Sequence, residues 1–186
     1  MLASGGLPRM DVHITKRIPV GGGLGGESSD AAGFLKMVRE IAGKEDSQEK
    51  GFAPLLQLSE YGWLRLASRV GADVPAFMLS GTVRARGFGE QVEPFSLAGL
   101  NDYRCILGIP EVSLSTAEMY SKIKAFSTNN HTQDFLDEWS ANGLEQALKA
   151  ARNDFTHIAL SESGEIKGLF DRLGRYGYPL VSVGDY

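Results

Sequence analysis

Lys16-Arg17-Ile18-Pro19-Val20-Gly21-Gly22-Gly23-Leu24-Gly25-Gly26-Glu27-Ser28-Ser29-Asp30-Ala31-Ala32 decides how the rest of this chain reads. An alternating run leads into it, with Val12, Ile14, Lys16 and Ile18 on one side and His13, Thr15 and Arg17 on the other. That alternation predicts a β-strand. The strand enters a loop with five glycines in six positions, then passes through Ser28 and Ser29 into a helix expected to end near Ala42. Glycine lets a backbone approach a ligand closely and adopt positive φ. The N–H groups of a first helical turn, together with the helix dipole, favour an anion. A phosphate group is the ligand to expect.

Other readings of the loop fit less of it. Gly21-x-Gly23-x-x-Gly26 satisfies the dinucleotide fingerprint by spacing alone. That fold also requires a second strand ending in an acid about 20 positions on, and the charged stretch Gly43 to Gly51 is no buried strand. A Walker loop places lysine before its Ser/Thr, whereas Gly26-Glu27-Ser28 puts an acid there. A plain surface loop accounts for the glycines but not for Pro19 before them or Ser-Ser-Asp-Ala-Ala after them.

Pro19 through Ala32 resembles the ATP loop of the GHMP kinases, the small-molecule kinases of galactose, homoserine, mevalonate and phosphomevalonate. Gly71-Ala72-Asp73-Val74-Pro75-Ala76-Phe77 and Gly87-Phe88-Gly89-Glu90, the latter before Val92 and Pro94, are similar to the motifs that follow in that family. Ile109-Pro110, Ser115-Thr116-Ala117-Glu118-Met119-Tyr120 and Asn153-Asp154 recur in the same order. The spelling is most similar to the branch that phosphorylates a hydroxyl of 4-diphosphocytidyl-2-C-methyl-D-erythritol in non-mevalonate isoprenoid synthesis. Another GHMP acceptor and an inactive kinase remnant are the alternatives.

The resemblance implies an α+β, GHMP kinase fold. Residues 1–98 would form an ATP-binding, ribosomal protein S5 domain 2-like module, and residues 99–186 a ferredoxin-like module, both incomplete. Family members begin with strands carrying a lysine and contacts to cytosine, which Met1 to Asp11 does not match. They also end with a third glycine/serine-rich motif, absent from Tyr178 to Tyr186. The chain is therefore expected to be the middle of a kinase. ATP and Mg²⁺ are the implied cofactors, with a small-molecule acceptor as partner.

Site residues follow from the same resemblance. Pro19, Val20, Gly21, Gly22, Gly23, Leu24, Gly25, Gly26, Glu27, Ser28 and Ser29 would wrap the ATP phosphates. Ser28 or Ser29 could contact phosphate or Mg²⁺ or cap the helix, and both roles are open. Asp73 would be the catalytic base, and Val74-Pro75 after it predicts an extended, rigid corner. Tyr120 would stack the cytosine, or be a half-buried helix aromatic. Glu90 reads as a turn-supporting carboxylate. Glu27 departs from the family's glycine: it suits the helix dipole, opposes a phosphate, and is strained if that position needs φ > 0.

Composition agrees with a globular enzyme. The chain has 186 residues, is 42% hydrophobic and carries a formal charge of -4, so no basic footprint invites nucleic acid or an anionic membrane surface. Its one cysteine, Cys105, excludes an internal disulfide and is expected to be a small buried hydrophobe. His13, His131 and His157 have no metal-ligand spacing. With no secretory or membrane-spanning pattern, a cytoplasmic location is expected.

Elsewhere, spacing predicts a helix around Trp63, Leu64, Ala67 and Val70 ended by Gly71, after an irregular stretch over 44–57. A hairpin is predicted from Gly81–Arg86 and Gln91–Phe95, a strand over Tyr103–Ile109, and a capping box at Ser115-x-x-Glu118. Helices near 142–150 and 164–173 complete the pattern.

Overall fold

Ala32, Leu35, Val38 and Ala42 recur at helical spacing, and they form the buried stripe of α1 (Gly26–Ala42). They pack with Phe52, Leu55, Trp63, Ala67 and Val74 into one core, with Met10 and Met78 at its edge. The computed structural model describes residues 9–19, 23–44, 51–112, 114–123 and 131–177. Internal contacts divide the chain into two units, Met1–Arg17 with Gly25–Ala98, and Ile18–Leu24 with Gly99–Tyr186.

In the first unit, α2 (Ala53–Leu56) interrupts the stretch expected to be irregular and buries Leu55, with Pro54 in its first turn, where the missing N–H is harmless. In α3 (Glu60–Ser68), the Ser59 hydroxyl accepts from Gly62 N–H at 3.2 Å, and Trp63 and Ala67 face the core. The Gly71 N–H closes on the Ala67 carbonyl at 3.2 Å, so the chain leaves the helix where a glycine stop was expected. The short α4 (Val74–Met78) packs against α1 and α3. The hairpin forms as read: β1 (Val83–Arg86) pairs antiparallel with β2 (Gln91–Pro94), Val83 opposite Pro94 and Arg86 opposite Gln91.

Two expected strands are not strands. Residues 9–17 run without a ladder, and Val12 and Ile14 are exposed on the alternating face that suggested a sheet. Alternation marks a strand only when a neighbouring backbone supplies hydrogen bonds, and among the described residues this segment has no such partner. The same holds for 103–109, where Ile106 is 81% exposed. Cys105 lies on that segment and is an exposed free thiol, which corrects its expected burial.

The described part of the second unit is helical. Ser115 accepts from Glu118 N–H at 3.4 Å and starts α5 (Thr116–Lys122). Then come α6 (His131–Asn142), α7 (Leu144–Ala150), α8 (Thr156–Glu162) and α9 (Gly164–Gly174). The helix expected near 142–150 starts two residues late because Gly143, at φ 81, breaks α6 from α7. Met119, Phe155 and Ile158 form a small core joining α5 to α8. The 103–111 segment is held to α9 instead of to a sheet: Glu111 N–H donates to Glu165 Oε1 at 2.7 Å. A Cβ on Gly108 would lie 2.6 Å from Leu173 Cδ1. Among the described residues no helix is long and apolar enough to cross a membrane.

Candidate active site

The start of α1 is built without a side-chain cap. Gly25, the residue before the helix, sits in the left-handed region at φ 63 and offers no side-chain acceptor. Ser29 N–H is the first to bond back, to the Gly25 carbonyl at 2.8 Å. The amides of Gly26, Glu27 and Ser28 therefore have no intrahelical acceptor, which is the arrangement that receives an anion. Ser29 Oγ donates to the Gly26 carbonyl at 2.8 Å, leaving its lone pairs for another partner.

Glu27 is exposed and helical. Among the described residues no non-glycine takes positive φ, so the feared backbone strain at Glu27 is absent. Its carboxylate remains a negative charge in the first turn of α1. Asp30, one turn on, is ion-paired with Lys16. Sequence reading missed that pair because the partners lie on different elements. It neutralises the second acid of the first two turns and fastens residues 9–17 to α1.

Asp73 is the residue immediately before α4, at φ -88 and ψ -13. The expected extended corner is therefore wrong. Pro75 falls in the first helical turn, where proline is accommodated, so Val74 stays helical and Asp73 itself keeps a right-handed helical backbone. Val74 and Pro75, the next two residues, are the largest fully buried side chains among the described residues. Phe77 lies one turn after Asp73, about 6 Å along the helix. A Cβ on Gly25 would stand 2.6 Å from Phe77 Cζ, so α4 meets the start of α1 at a point where a side chain on residue 25 would have to displace the ring.

The Gly87–Glu90 turn closes on the other side. A Cβ on Gly89, which takes φ 110, would be 2.9 Å from Asp73 Oδ1 and 3.3 Å from the Ala72 carbonyl oxygen. Glu90 supports that turn as read: its Oε2 accepts from Phe88 N–H at 2.7 Å. Hydrogen bonds from its own N–H and that of Phe88 hold the carboxyl below its ordinary 4.5, and the slight burial that would raise it is outweighed.

Val20, Gly21 and Gly22 lie outside the described residues, while Pro19, Gly23 and Leu24 belong to the second unit. Gly23 takes φ 67, consistent with a loop that uses glycine freedom. Tyr120 is 42% exposed and meets Phe155 edge to face, with ring centroids 5.0 Å apart. Asn153 Oδ1 accepts from Phe155 N–H at 2.9 Å and so shapes the entry to α8.

Residues 1–81 match the GHMP kinases N terminal domain. A protein of Fervidobacterium nodosum named 4-diphosphocytidyl-2-C-methyl-D-erythritol kinase is 34% identical over 153 residues, covering 79% of this chain and 50% of that one. Its namesake in Parabacteroides distasonis is 38% identical over 149 residues, 76% of this chain and 50% of that one. A third, in Persephonella marina, is 32% identical over 176 residues, 94% of this chain and 59% of that one. The chain thus spans about half the length of the curated relatives it matches. Residues 1–81 thus carry a GHMP kinases N terminal domain, and most of the chain is similar to proteins named as kinases of this kind.

Proposed function

We propose that this chain carries the phosphate-gripping and base-bearing part of an ATP-dependent small-molecule kinase. Its acceptor is a hydroxyl of 4-diphosphocytidyl-2-C-methyl-D-erythritol, the compound in the names of its relatives. One observation carries the reading. The uncapped first turn of α1 and the Asp73 end of α4 belong to the same unit and are joined through the Gly25–Phe77 contact.

Phosphoryl transfer asks a protein mainly to position groups and to stabilise charge. The amides of Gly26, Glu27 and Ser28 would hold phosphate oxygens, joined by the loop from Pro19 to Gly25. Asp73 would accept the proton of the attacking hydroxyl. Mg²⁺ would supply charge neutralisation on the phosphates. Among the described residues no group of three or more His, Cys, Asp or Glu could hold a metal ion. Ser28 or Ser29 would offer a hydroxyl oxygen to an ion that arrives with the nucleotide. Tyr120, partly exposed, would stack the cytosine.

In architecture, residues 1–98 would be the ATP-binding domain and residues 99–186 the second, ferredoxin-like domain. The division of contacts between Ala98 and Gly99 supports that boundary, although the same division counts Ile18–Leu24 with the second unit. A second reading, a chain that grips nucleotide weakly or not at all, is favoured by Glu27.

ADP release is the test, using the purified chain, ATP, Mg²⁺ and the diphosphocytidyl ester, with mevalonate, homoserine and galactose as competing acceptors. Turnover with the ester alone, lost by about 10²–10⁴-fold in Asp73→Asn while nucleotide binding persists, is the expected result. Equal turnover in Asp73→Asn removes Asp73 from the chemistry.

A further inference from the structure

The turn between β1 and β2 is not held by burial of its own apolar residue, since Phe88 at its tip is 93% exposed. Polar and steric contacts hold it instead. Glu90 Oε2 accepts from Phe88 N–H at 2.7 Å, Gln91 Nε2 donates to Glu90 Oε1 at 3.2 Å, and Gly89 N–H donates to the Arg86 carbonyl at 3.2 Å. Gly87 takes φ 72, and a Cβ there would lie 2.5 Å from Glu90 Oε1. The Glu90 carboxylate can thus fold back over the turn only because position 87 is bare. The turn in turn presses its second glycine against the Asp73 carboxylate, and β2 packs on α4.

We infer that Glu90 and Gly89 are positioning residues for Asp73: Glu90 fixes the turn, and Gly89, lacking a side chain, sets the place and orientation of the carboxylate beside it. This rests on the proposed role of Asp73 as the base. Val74 and Pro75, which follow Asp73 in the chain, are buried and anchor its backbone, and Gly89 lies against its carboxylate. A carboxylate held in place beforehand needs little reorganisation to meet a hydroxyl, whereas displacement by about 1 Å can cost about 10²-fold in rate.

Gly81 provides the control. It takes φ 80, like Gly89 a conformation that resists a side chain, but nothing lies within 4 Å of a Cβ built there. Gly81→Ala therefore shares the backbone strain without the contact. The expected result is a kcat lowered about 10- to 100-fold in Gly89→Ala with KM for ATP within about twofold, and little change in Gly81→Ala. Glu90→Ala should lower kcat in the same way, and Glu90→Gln, which keeps an acceptor oxygen, should restore part of it.

A second readout needs no turnover. In protein labelled with ¹³C at aspartate Cγ, the Asp73 resonance is identified by its loss in Asp73→Asn. It should move in Gly89→Ala and Glu90→Ala, and hold in Gly81→Ala. An unmoved resonance, or equal effects from Gly81→Ala and Gly89→Ala, overturns the inference. Retained turnover in Asp73→Asn would instead remove the base assignment, so the two failures are distinguishable.

Discussion

Gly25 and Phe77 touch so closely that any side chain at position 25 must displace the ring: a Cβ there would stand 2.6 Å from Phe77 Cζ and 2.9 Å from Cε2. The left-handed φ of 63 at Gly25 adds a second objection to a side chain. Overpacking and left-handed strain together should make Gly25→Ala less stable by about 2–4 kcal/mol. Shortening the ring in Phe77→Ala should recover part of that loss in the double variant. Urea denaturation of the four proteins in the cycle checks this. Energies that add within about 0.5 kcal/mol would mean that the two positions do not meet.

Glu27 should weaken nucleotide binding and support the helix at the same time. A carboxylate about 5 Å from one phosphate charge, at an effective dielectric of about 20, opposes it by about 3 kcal/mol. Because Glu27 is exposed, solvent leaves only part of that. Glu27→Gly is expected to bind a non-hydrolysable ATP analogue about tenfold more tightly by calorimetry. It should also melt at a lower temperature, since glycine costs about 1 kcal/mol inside a helix and the favourable acid near the dipole is lost. Equal affinity in the two proteins would refute the electrostatic conflict.

The Glu90 carboxyl titrates below its ordinary 4.5 because N–H groups of the turn donate to its charged form. A depressed folded-state value means that the group stabilises the fold above the unfolded value and stops doing so as pH falls through the folded one. The melting-temperature gap between wild type and Glu90→Gln should be constant from pH 7 down to about 4.5, then close as pH falls further. A gap that widens in acid would contradict the assignment.

Ser163 ends α8 and begins α9, its hydroxyl accepting from Ile166 N–H at 3.2 Å while its own N–H reaches the Ala159 carbonyl at 3.2 Å. Ser163→Ala is expected to cost about 1 kcal/mol, and Ser163→Asp much less, because the carboxylate can cap in its place. Chemical denaturation followed by far-ultraviolet circular dichroism separates the two variants. Indistinguishable midpoints for alanine and wild type would discount the cap.

Local chemistry made much of this molecule legible beforehand. The apolar spacing of α1, the glycine stop after α3, the hairpin and the Ser115 cap each depend on residues close in sequence. What escaped depends on neighbours. Residues 12–17 alternate like a strand, yet a strand exists only where another backbone pairs with it. Cys105 looked buried because its flanks are apolar, but its segment leans on α9 through Gly108 and Glu111 and leaves the thiol outside. α6 buries no residue and so shows no strong stripe; the Phe135–Trp139 ring pair at 5.7 Å spans one of its turns. At the candidate site, Asp73, the loop and Glu90 could be named from motif order. The Phe77 contact and the Lys16–Asp30 pair could not, because both join elements distant along the chain.

Val74 and Pro75 carry one more consequence. They hold the α4 end of Asp73 inside the first unit's core, so the carboxylate is rooted in packing and not in a loop able to loosen by itself. Heat inactivation and melting of that unit should follow a single curve, with no interval in which the protein is folded but its acid has drifted. Saturating nucleotide would then protect core amides of α1 from hydrogen exchange as effectively as those beside the phosphate.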